Sequence, residues 1–298
     1  MMSSGIGTTP AGAGPVETAQ ADIVYRPRGR VPGTAVGAHR GRDAGGLGTF
    51  RDQVPFLRMP DARRIDVRAT LRDPFEGTHV RRFESRTAIE VWALVDLSAS
   101  MRYRGEADRM ELVAALCAGL AASATRIGDS FGLLGCDGAV REDVSMPATR
   151  RRGIGAAVRE RLLAAPCTAA RADGMREAGR RLVGRPKIVF VVSDFRWPEA
   201  LVTEVFASLA RHDIVSVVLA DPSEDEGLPA WGLMELDDLE GAGRRTVFMR
   251  PALRRRWLAH EQARSDTLRR IATTYGRPPF RLVERFEAEA LTRHLIGT

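Results

Sequence analysis

The segment Asp96-Leu97-Ser98-Ala99-Ser100 places one carboxylate and two hydroxyl groups at every second position of the chain. In an extended loop, side chains at alternate positions point the same way, so these three groups can converge on one point. Their common ligand would be a hard cation. Magnesium prefers six oxygen ligands and keeps several waters, which suits two hydroxyls with water-bridged carboxylates; manganese and calcium are the alternatives. The pattern therefore predicts a divalent-cation site.

A second acid, Asp194, ends the apolar run at 187–194, just as Asp96 ends the apolar run at 89–96. Continuous apolar runs of this length are typical of strands that are buried on both faces of a sheet. In a doubly wound α/β sheet, the ligand crevice lies at the carboxyl ends of the strands, so both acids are expected there. A cation with few direct negative ligands can accept a carboxylate from another molecule, which is binding chemistry rather than catalysis.

Alternating strands and helices are predicted around these two runs. A helix begins after Asp108, a candidate N-cap with Glu111 three residues later, and ends at Gly128. The order of elements predicts a doubly wound, mostly parallel sheet flanked by helices. The other predicted elements are strands at 130–137, 139–145 (antiparallel), 213–221, 233–237 (weaker, extending the alternation) and near 280, and helices near 152–164, 172–183, 198–211, 251–275 and ending at 296.

The chain divides into four predicted segments. Residues 1–20 read as a disordered tail without the apolar stretch of a signal peptide. Residues 21–88 form an Arg/Gly-rich extension that packs on the main domain; within it, 21–60 should wrap a surface rather than form a core, and 79–83 could make one edge strand. Residues 89–250 form the metal-binding domain, and 251–298 a helical segment.

Composition excludes several classes of protein. Of the 298 residues, 44% are hydrophobic and 28% charged, which is ordinary for a globular protein, and no apolar run approaches the roughly 20 residues of a membrane span. Three cysteines without CxxC spacing suggest neither a disulfide framework nor a zinc site, and so favour the reducing cytoplasm. The net charge is +7, but Lys187 is the only lysine. That skew indicates codon bias rather than phosphate binding, so nucleic acid is not an expected partner.

Several motifs together carry a resemblance to a known family. VDLSAS at 95–100, GDSFGLLGCD at 128–137, KIVFVVSDF at 187–195 and the arginine-rich lead-in at 63–84 resemble the von Willebrand factor A-like proteins encoded beside MoxR-type AAA+ ATPases. The resemblance spans roughly residues 25 to 296. It implies a von Willebrand A-like fold with a metal-ion-dependent adhesion site.

The resemblance assigns the metal ligands residue by residue. Asp96, Ser98 and Ser100 match the DxSxS motif of the adhesion site, and Asp194 matches the acid of the later strand. The site's threonine is open, because the usual glycine-rich setting is missing from this chain. Thr168 lies at about the right place, and Thr149 is the rival.

In function, the resemblance implies a non-enzymatic adaptor that docks through its cation. Its partners would be a MoxR-type AAA+ ATPase and a client protein that supplies a carboxylate. Within the family, this chain most resembles a member that acts in methanol dehydrogenase maturation, so the resemblance implies that enzyme as the client. One alternative is a metal-dependent hydrolase with Asp96 or Asp194 as base. The other is a basic scaffold that binds nucleic acid or anionic lipid. A serine hydrolase is disfavoured because no GxSxG occurs, and the five histidines show no metal-ligand spacing.

Overall fold

The computed structural model describes residues 22–28, 36–40, 49–84, 86–105, 107–222, 228–238 and 243–297. The disordered tail predicted for 1–20 lies outside the described residues. The described elements, in chain order, are β1 (Val36–Arg40), β2 (Thr49–Pro55), α1 (Val67–Arg72), β3 (His79–Glu84), β4 (Arg86–Thr87), β5 (Glu90–Asp96), α2 (Arg109–Arg126), β6 (Ser130–Cys136), β7 (Val140–Thr149), α3 (Ile154–Ala164), α4 (Gly174–Arg181), β8 (Ile188–Ser193), α5 (Glu199–Ser208), β9 (Asp213–Leu219), β10 (Gly232–Asp238), β11 (Gly243–Met249), α6 (Pro251–Tyr275), β12 (Phe280–Leu282) and α7 (Ala288–Gly297).

The central sheet has the strand order β12-β9-β8-β5-β6-β7. Its strands are parallel except β7, which pairs antiparallel with β6 and ends the sheet on that side. The chain leaves β5 toward β6 and β7, then returns to β8 on the other side of β5 and continues outward to β9 and β12. This reversal confirms the predicted mixed α/β architecture with a mostly parallel sheet.

Helices cover both faces of the sheet. The cluster on one face includes side chains of α2, α3 and α7, and the cluster on the other face includes side chains of α4, α5 and α6. Within β8, Phe190 and Val192 join the first cluster, whereas Val189 and Val191 join the second. Strands between two helix layers bury both faces, which explains why their sequences are continuously apolar.

The helix that follows the DxSxS segment begins and ends as predicted. Asp108 Oδ1 accepts hydrogen bonds from the backbone N–H groups of Met110 (2.9 Å) and Glu111 (3.3 Å), and Gly128 after the helix has φ +87°. The Glu111 carboxylate does not return to the cap but pairs with Arg159 at 2.5 Å. The N-cap is therefore present as one half of the predicted capping box.

The strand predicted near 233–237 does not extend the central alternation. It is β10, which forms a separate antiparallel hairpin with β11. Residues 234–237 alternate apolar and acidic side chains, which is typical of a strand with one solvated face rather than a buried parallel strand. The rings of Trp231, at the start of this hairpin, and Phe248 pack edge-on, with their centroids 6.0 Å apart. The outer place in the central sheet is taken instead by β12.

The prediction that 21–60 would only wrap a surface was wrong for its first residues. Ile23 and Tyr25 are each 3% exposed and belong to the core cluster of α2 and β5. The Tyr25 hydroxyl donates to Asp129 Oδ2 at 2.8 Å, and His39 Nε2 lies 2.7 Å from the same oxygen. Ile23 and Tyr25 are thus single core residues in a segment without a periodic apolar pattern, so the sequence pattern could not indicate their burial. The strand predicted at 79–83 is β3, which pairs with β2 outside the central sheet.

The longest described helix, α6, is rich in arginine. Among the described residues, no helix combines the length and the apolar character needed to cross a membrane.

Candidate metal centre

The two predicted acids lie at the ends of adjacent parallel strands. Asp96 is the last residue of β5, and Asp194 follows the last residue of β8. The chain reverses its winding direction between these two strands, and such a switch point opens a crevice at the carboxyl edge of a parallel sheet. The topology therefore brings together the two acids, which are 98 positions apart in the numbering.

Asp96 is completely buried and fully hydrogen-bonded. Its Oδ1 accepts from the backbone N–H of Ser98 (2.8 Å), and its Oδ2 accepts from Ser193 Oγ (2.6 Å) and from Trp197 Nε1 (2.8 Å). Burial, followed by the nearby negative charge of Asp194, raises the pKa of Asp96. A nearby cation would offset both effects.

The two serines of the DxSxS segment face each other. Ser98 Oγ and Ser100 Oγ are 3.2 Å apart, and the residues are 1% and 7% exposed. Neighbouring ligands of an octahedral magnesium ion, each at about 2.1 Å, are about 3.0 Å apart. Ser98 directly precedes a 3-10 helix over Ala99–Arg102, so the extended loop predicted for this segment was wrong from Ala99 onward. The helical turn, and not side-chain alternation along an extended chain, brings the two hydroxyls together. The spacing of the hydroxyls fits two ligands of one ion.

The sheet register separates the two candidate threonines. Ala169, next to Thr168, forms a parallel bridge with Ser98, and its carbonyl accepts from the N–H of Ala99 at 2.8 Å. Thr168 is exposed on the loop that runs beside the serines. Thr149, in contrast, pairs with Phe131 near the start of β6.

Asp96, in contrast, pairs with Cys136, which lies at the opposite end of β6 from Phe131. Five residues of strand amount to about 17 Å, so Thr149 lies at the wrong edge of the sheet. Of the two threonines, Thr168 is the one that the structure places beside the DxSxS segment.

A buried arginine also lies at the site. Arg109 Nη1 donates to Asp194 Oδ2 at 3.2 Å and to the carbonyl of Ser100 at 3.0 Å, and its guanidinium lies over the ring of Tyr103 at 4.9 Å. Arg109 is 3% exposed and Asp194 is 2% exposed. A cation at this centre would share the Asp194 carboxylate with Arg109.

The turn after β8 is held in a strained conformation. Phe195 has φ +52°, which is unusual for a residue with a side chain. Arg264 on α6 donates from Nη1 to the carbonyls of both Asp194 and Phe195 at 3.0 Å. Strain of this kind persists only where surrounding contacts enforce it, and it concentrates at functional sites. The long C-terminal helix thereby positions the Asp194 turn.

Four residues of this centre were missed by sequence reasoning: Arg109, Ser193, Trp197 and Arg264. One of them left a usable signal. Arg109 is the first residue of α2, where a positive charge opposes the helix dipole and needs a specific acidic partner. Hydrogen bonding of Ser193 and Trp197 to Asp96 depends on the turn after β8, which has no recognisable pattern.

The donor set consists of two carboxylates and the hydroxyls of serine and threonine, which are the hard oxygen ligands that magnesium prefers. Ser98, Ser100 and Thr168 would hold the ion, with Asp96 and Asp194 behind them. Within the described ranges, no group of three or more His, Cys, Asp or Glu side chains is arranged as a metal site. The candidate centre differs from that class because hydroxyls provide most of its donors.

The buried state of Asp96 predicts a pH dependence of stability in the metal-free protein. Because its pKa is raised in the folded chain, the folded state keeps the proton to higher pH than the unfolded state does. The free energy of unfolding that Asp96 contributes is therefore largest below about pH 3.9 and falls as pH rises through the raised value.

We expect Asp96→Asn to remove this loss, so wild type should become less stable relative to the variant as pH rises from about 4. Urea unfolding in EDTA at a series of pH values measures the difference. Asp266→Asn, at an exposed position of α6, is the control. A wild-type-minus-variant difference that stays constant with pH would contradict the expectation.

The fold and the crevice define a class of protein: a doubly wound α/β protein with a polar centre at the switch point of its sheet. Residues 59–267 match the family described as "Protein of unknown function DUF58". This match covers more than half of the chain, and the chain belongs to that family.

Three relatives illustrate the similarity. The uncharacterized proteins Rv1480 of Mycobacterium tuberculosis and Mb1516 of Mycobacterium bovis are each 30% identical over 200 residues, covering 65% of this chain. The match spans 61% of the length of each mycobacterial relative. A protein of Paracoccus denitrificans described as "Uncharacterized protein in moxR 3'region" is 33% identical over 99 residues, covering 32% of this chain and 90% of its own length.

Two solved structures are similar to part of this chain. The conserved hypothetical protein BatB of Bacteroides thetaiotaomicron has a TM-score of 0.46 at 13% identity, covering 70% of this chain and 98% of its own. An aerotolerance-related membrane protein of Bacteroides fragilis has a TM-score of 0.40 at 12% identity, covering 71% of this chain and 100% of its own.

Proposed function

We propose that this protein is a non-enzymatic, cation-dependent adaptor that works with a MoxR-type AAA+ ATPase in the assembly or metal loading of an enzyme complex. Its fold would be that of a von Willebrand factor A-like domain, with Mg²⁺ at the metal-ion-dependent adhesion site. The observation that carries the proposal is the 3.2 Å spacing of the Ser98 and Ser100 hydroxyls beside Asp96 at the switch point.

The hydrogen bonds of the two acids favour binding over catalysis. Asp96 accepts from Ser193 and Trp197, and Asp194 accepts from Arg109, so neither carboxylate is free to act as a base. A bound Mg²⁺ would supply an open coordination position that takes a carboxylate from a partner. Thr168 is the exposed member of the set, so a partner would approach from its side.

The histidines also argue against a hydrolase. His39 bonds to Asp129, His79 to Asp73, His212 to the Leu182 carbonyl and His294 to the Pro278 carbonyl, all away from Asp96. His260 is exposed on α6. A base paired with a nucleophile at the candidate centre is thus missing from this set, which supports an adaptor rather than a hydrolytic enzyme.

The partner rests on the relative from Paracoccus denitrificans, whose description places it in a moxR 3' region. A MoxR-type ATPase is therefore the proposed partner, and the proposal locates the chain in the cytoplasm, where ATP is available to it. The finer proposal is a role like that of MxaS, with methanol dehydrogenase as the client. That step rests on resemblance alone.

The test is a binding measurement with purified full-length protein and the MoxR-type ATPase of the same genome. We expect one Mg²⁺ per chain by isothermal titration calorimetry, and capture of the ATPase that is lost in EDTA. Ser98→Ala/Ser100→Ala and Asp96→Ala should both abolish Mg²⁺ binding and capture, because they remove the oxygen ligands and the carboxylate behind them.

The matched control is Glu284→Ala, which removes an exposed carboxylate outside the centre. Circular dichroism establishes that each variant is folded. Capture that survives EDTA and both site variants would refute the cation-dependent adaptor.

A further inference from the structure

A cavity of about 270 Å³ opens between α6 and the carboxyl ends of β8 and β9. Asp194 forms one part of its wall, and β12 closes its outer side through Arg281. The volume is close to the lower end of the roughly 300–1,000 Å³ that is usual for small-ligand pockets.

One face of the middle part of α6, residues 258–269, lines the cavity. Leu258, Gln262, Ser265 and Arg269 are spaced by four, three and four residues, so they form a single stripe on the helix. Val218 of β9 provides an apolar wall opposite. Apolar walls with a few convergent polar groups are the usual construction of a small-ligand site.

The wall of the cavity contains more guanidinium groups than carboxylates. Four guanidinium groups line the cavity: Arg196, Arg264, Arg269 and Arg281. The lining carboxylates are those of Asp194, Asp221 and Glu261.

Asp194 and Glu261 have guanidinium partners, and Asp221 and Arg196 have interactions of their own. Asp194 accepts from Arg109 at 3.2 Å, and Glu261 pairs with Arg264 at 2.5 Å. Arg264 also donates hydrogen bonds to the carbonyls of the turn after β8, which hold its side chain in place. Its positive charge is neutralised by Glu261.

Arg269 and Arg281 differ from Arg264. Neither Arg269 nor Arg281 forms an ion pair with a carboxylate of the described chain. They reach the same cavity from different elements, Arg269 from α6 and Arg281 from β12. Both residues are exposed, so their guanidinium groups are open to a ligand from solvent, and the planar guanidinium fork matches phosphate oxygens.

We propose that this cavity binds a small ligand that carries a phosphate group, with Arg269 and Arg281 holding the phosphate oxygens. The Ser265 hydroxyl on the same stripe can donate to a third oxygen. A doubly charged phosphate compensates both arginines, whereas a single carboxylate compensates one. The apolar wall at Leu258 and Val218 then takes the organic part of a phosphate ester.

The test uses the full-length protein in EDTA, so that it does not depend on the candidate cation. Inorganic phosphate, glycerol 3-phosphate and acetate are titrated separately by calorimetry at low ionic strength. The site variant is Arg269→Gln/Arg281→Gln. The matched control is Arg255→Gln/Arg256→Gln, which removes the same charge from exposed positions of α6 outside the cavity.

We expect saturable one-site binding of phosphate or of its glycerol ester to the wild type. The dissociation constant should rise about tenfold or more in the site variant, and by less than about twofold in the control. Three outcomes would overturn the proposal: no binding of either phosphate, an equal loss in both double variants, or acetate binding as tightly as phosphate. Thermal unfolding shows that both variants remain folded.

Discussion

Replacement of Arg277 by methionine is expected to lower the free energy of unfolding by about 3–5 kcal/mol, because it leaves a buried carboxylate without its partner. Arg277 Nε and Nη2 donate to the two oxygens of Asp213, at 3.1 and 2.8 Å. Its remaining donors bond to the carbonyls of Leu295 (2.5 Å) and Arg26 (2.6 Å). Arg277 thus joins β9, α7 and the N-terminal segment, and urea unfolding followed by tryptophan fluorescence measures the loss.

The burial of the pair is the reason for the large effect. The side chains of Arg277 and Asp213 are 2% and 6% exposed. Arg285→Met is the matched control, because that side chain is 81% exposed in its pair with Glu287 and should cost about 1 kcal/mol or less. Similar losses of unfolding free energy in the two variants would show that burial does not make the Arg277–Asp213 pair more stabilising than an exposed pair.

Replacement of Arg109 by methionine should also cost about 3–5 kcal/mol in the metal-free protein. The change leaves Asp194 buried without its guanidinium partner, close to the second carboxylate of Asp96. It also removes the hydrogen bond to the Ser100 carbonyl and the contact with the Tyr103 ring. Urea unfolding in EDTA measures this loss.

The exposed pair between Arg159 and Glu111 provides the control for this prediction. Arg159→Met removes a guanidinium whose side chain is 43% exposed, and we expect a loss of about 1 kcal/mol or less. The double variant Arg109→Met/Asp194→Asn should lose less than the sum of its single changes, because it removes the unpaired charge. Additive losses would mean that Arg109 stabilises the fold independently of Asp194.

Arg109 and Arg277 are buried, but the arginine-rich composition of the chain does not reveal this. Lysine and arginine number 45, and Lys187 is the only lysine, so most arginines look like a compositional background. Arg109 and Arg277 are nevertheless 3% and 2% exposed, whereas Arg269 and Arg281 are exposed. Nothing in their immediate sequence separates the two groups, because burial of a charge depends on where its partner lies in the fold.

The secondary structure near the candidate centre could be predicted because it depends on local patterns. Continuous apolar runs indicated β5 and β8, and the acid at the end of each run indicated the crevice edge of the sheet. The N-cap at Asp108 and the positive φ at Gly128 follow from side-chain and backbone preferences of single residues. Such features are determined within a few residues of where they occur.

The same reasoning failed for β10, whose alternation belongs to a hairpin outside the central sheet. A strand pattern reports which faces are buried but not which sheet the strand joins, since pairing is decided by distant segments. The place beside β9 went to β12, a strand of three residues. The helices on either side of β12 in the chain, α6 and α7, pack on opposite faces of the sheet.

The sequence by itself predicted the buried strands β5 and β8, the helix that begins after Asp108, and the edge of the sheet at which Asp96 and Asp194 lie. Only the tertiary structure placed Thr168 beside the DxSxS segment and Thr149 at the opposite edge of the sheet, because these positions depend on the bridge at Ser98 and on the register of β7 against β6. It likewise revealed Arg109 beside Asp194 and Trp197 beside Asp96. Contacts between residues 85 and 101 positions apart are decided when strands and helices pack, and local sequence does not encode them.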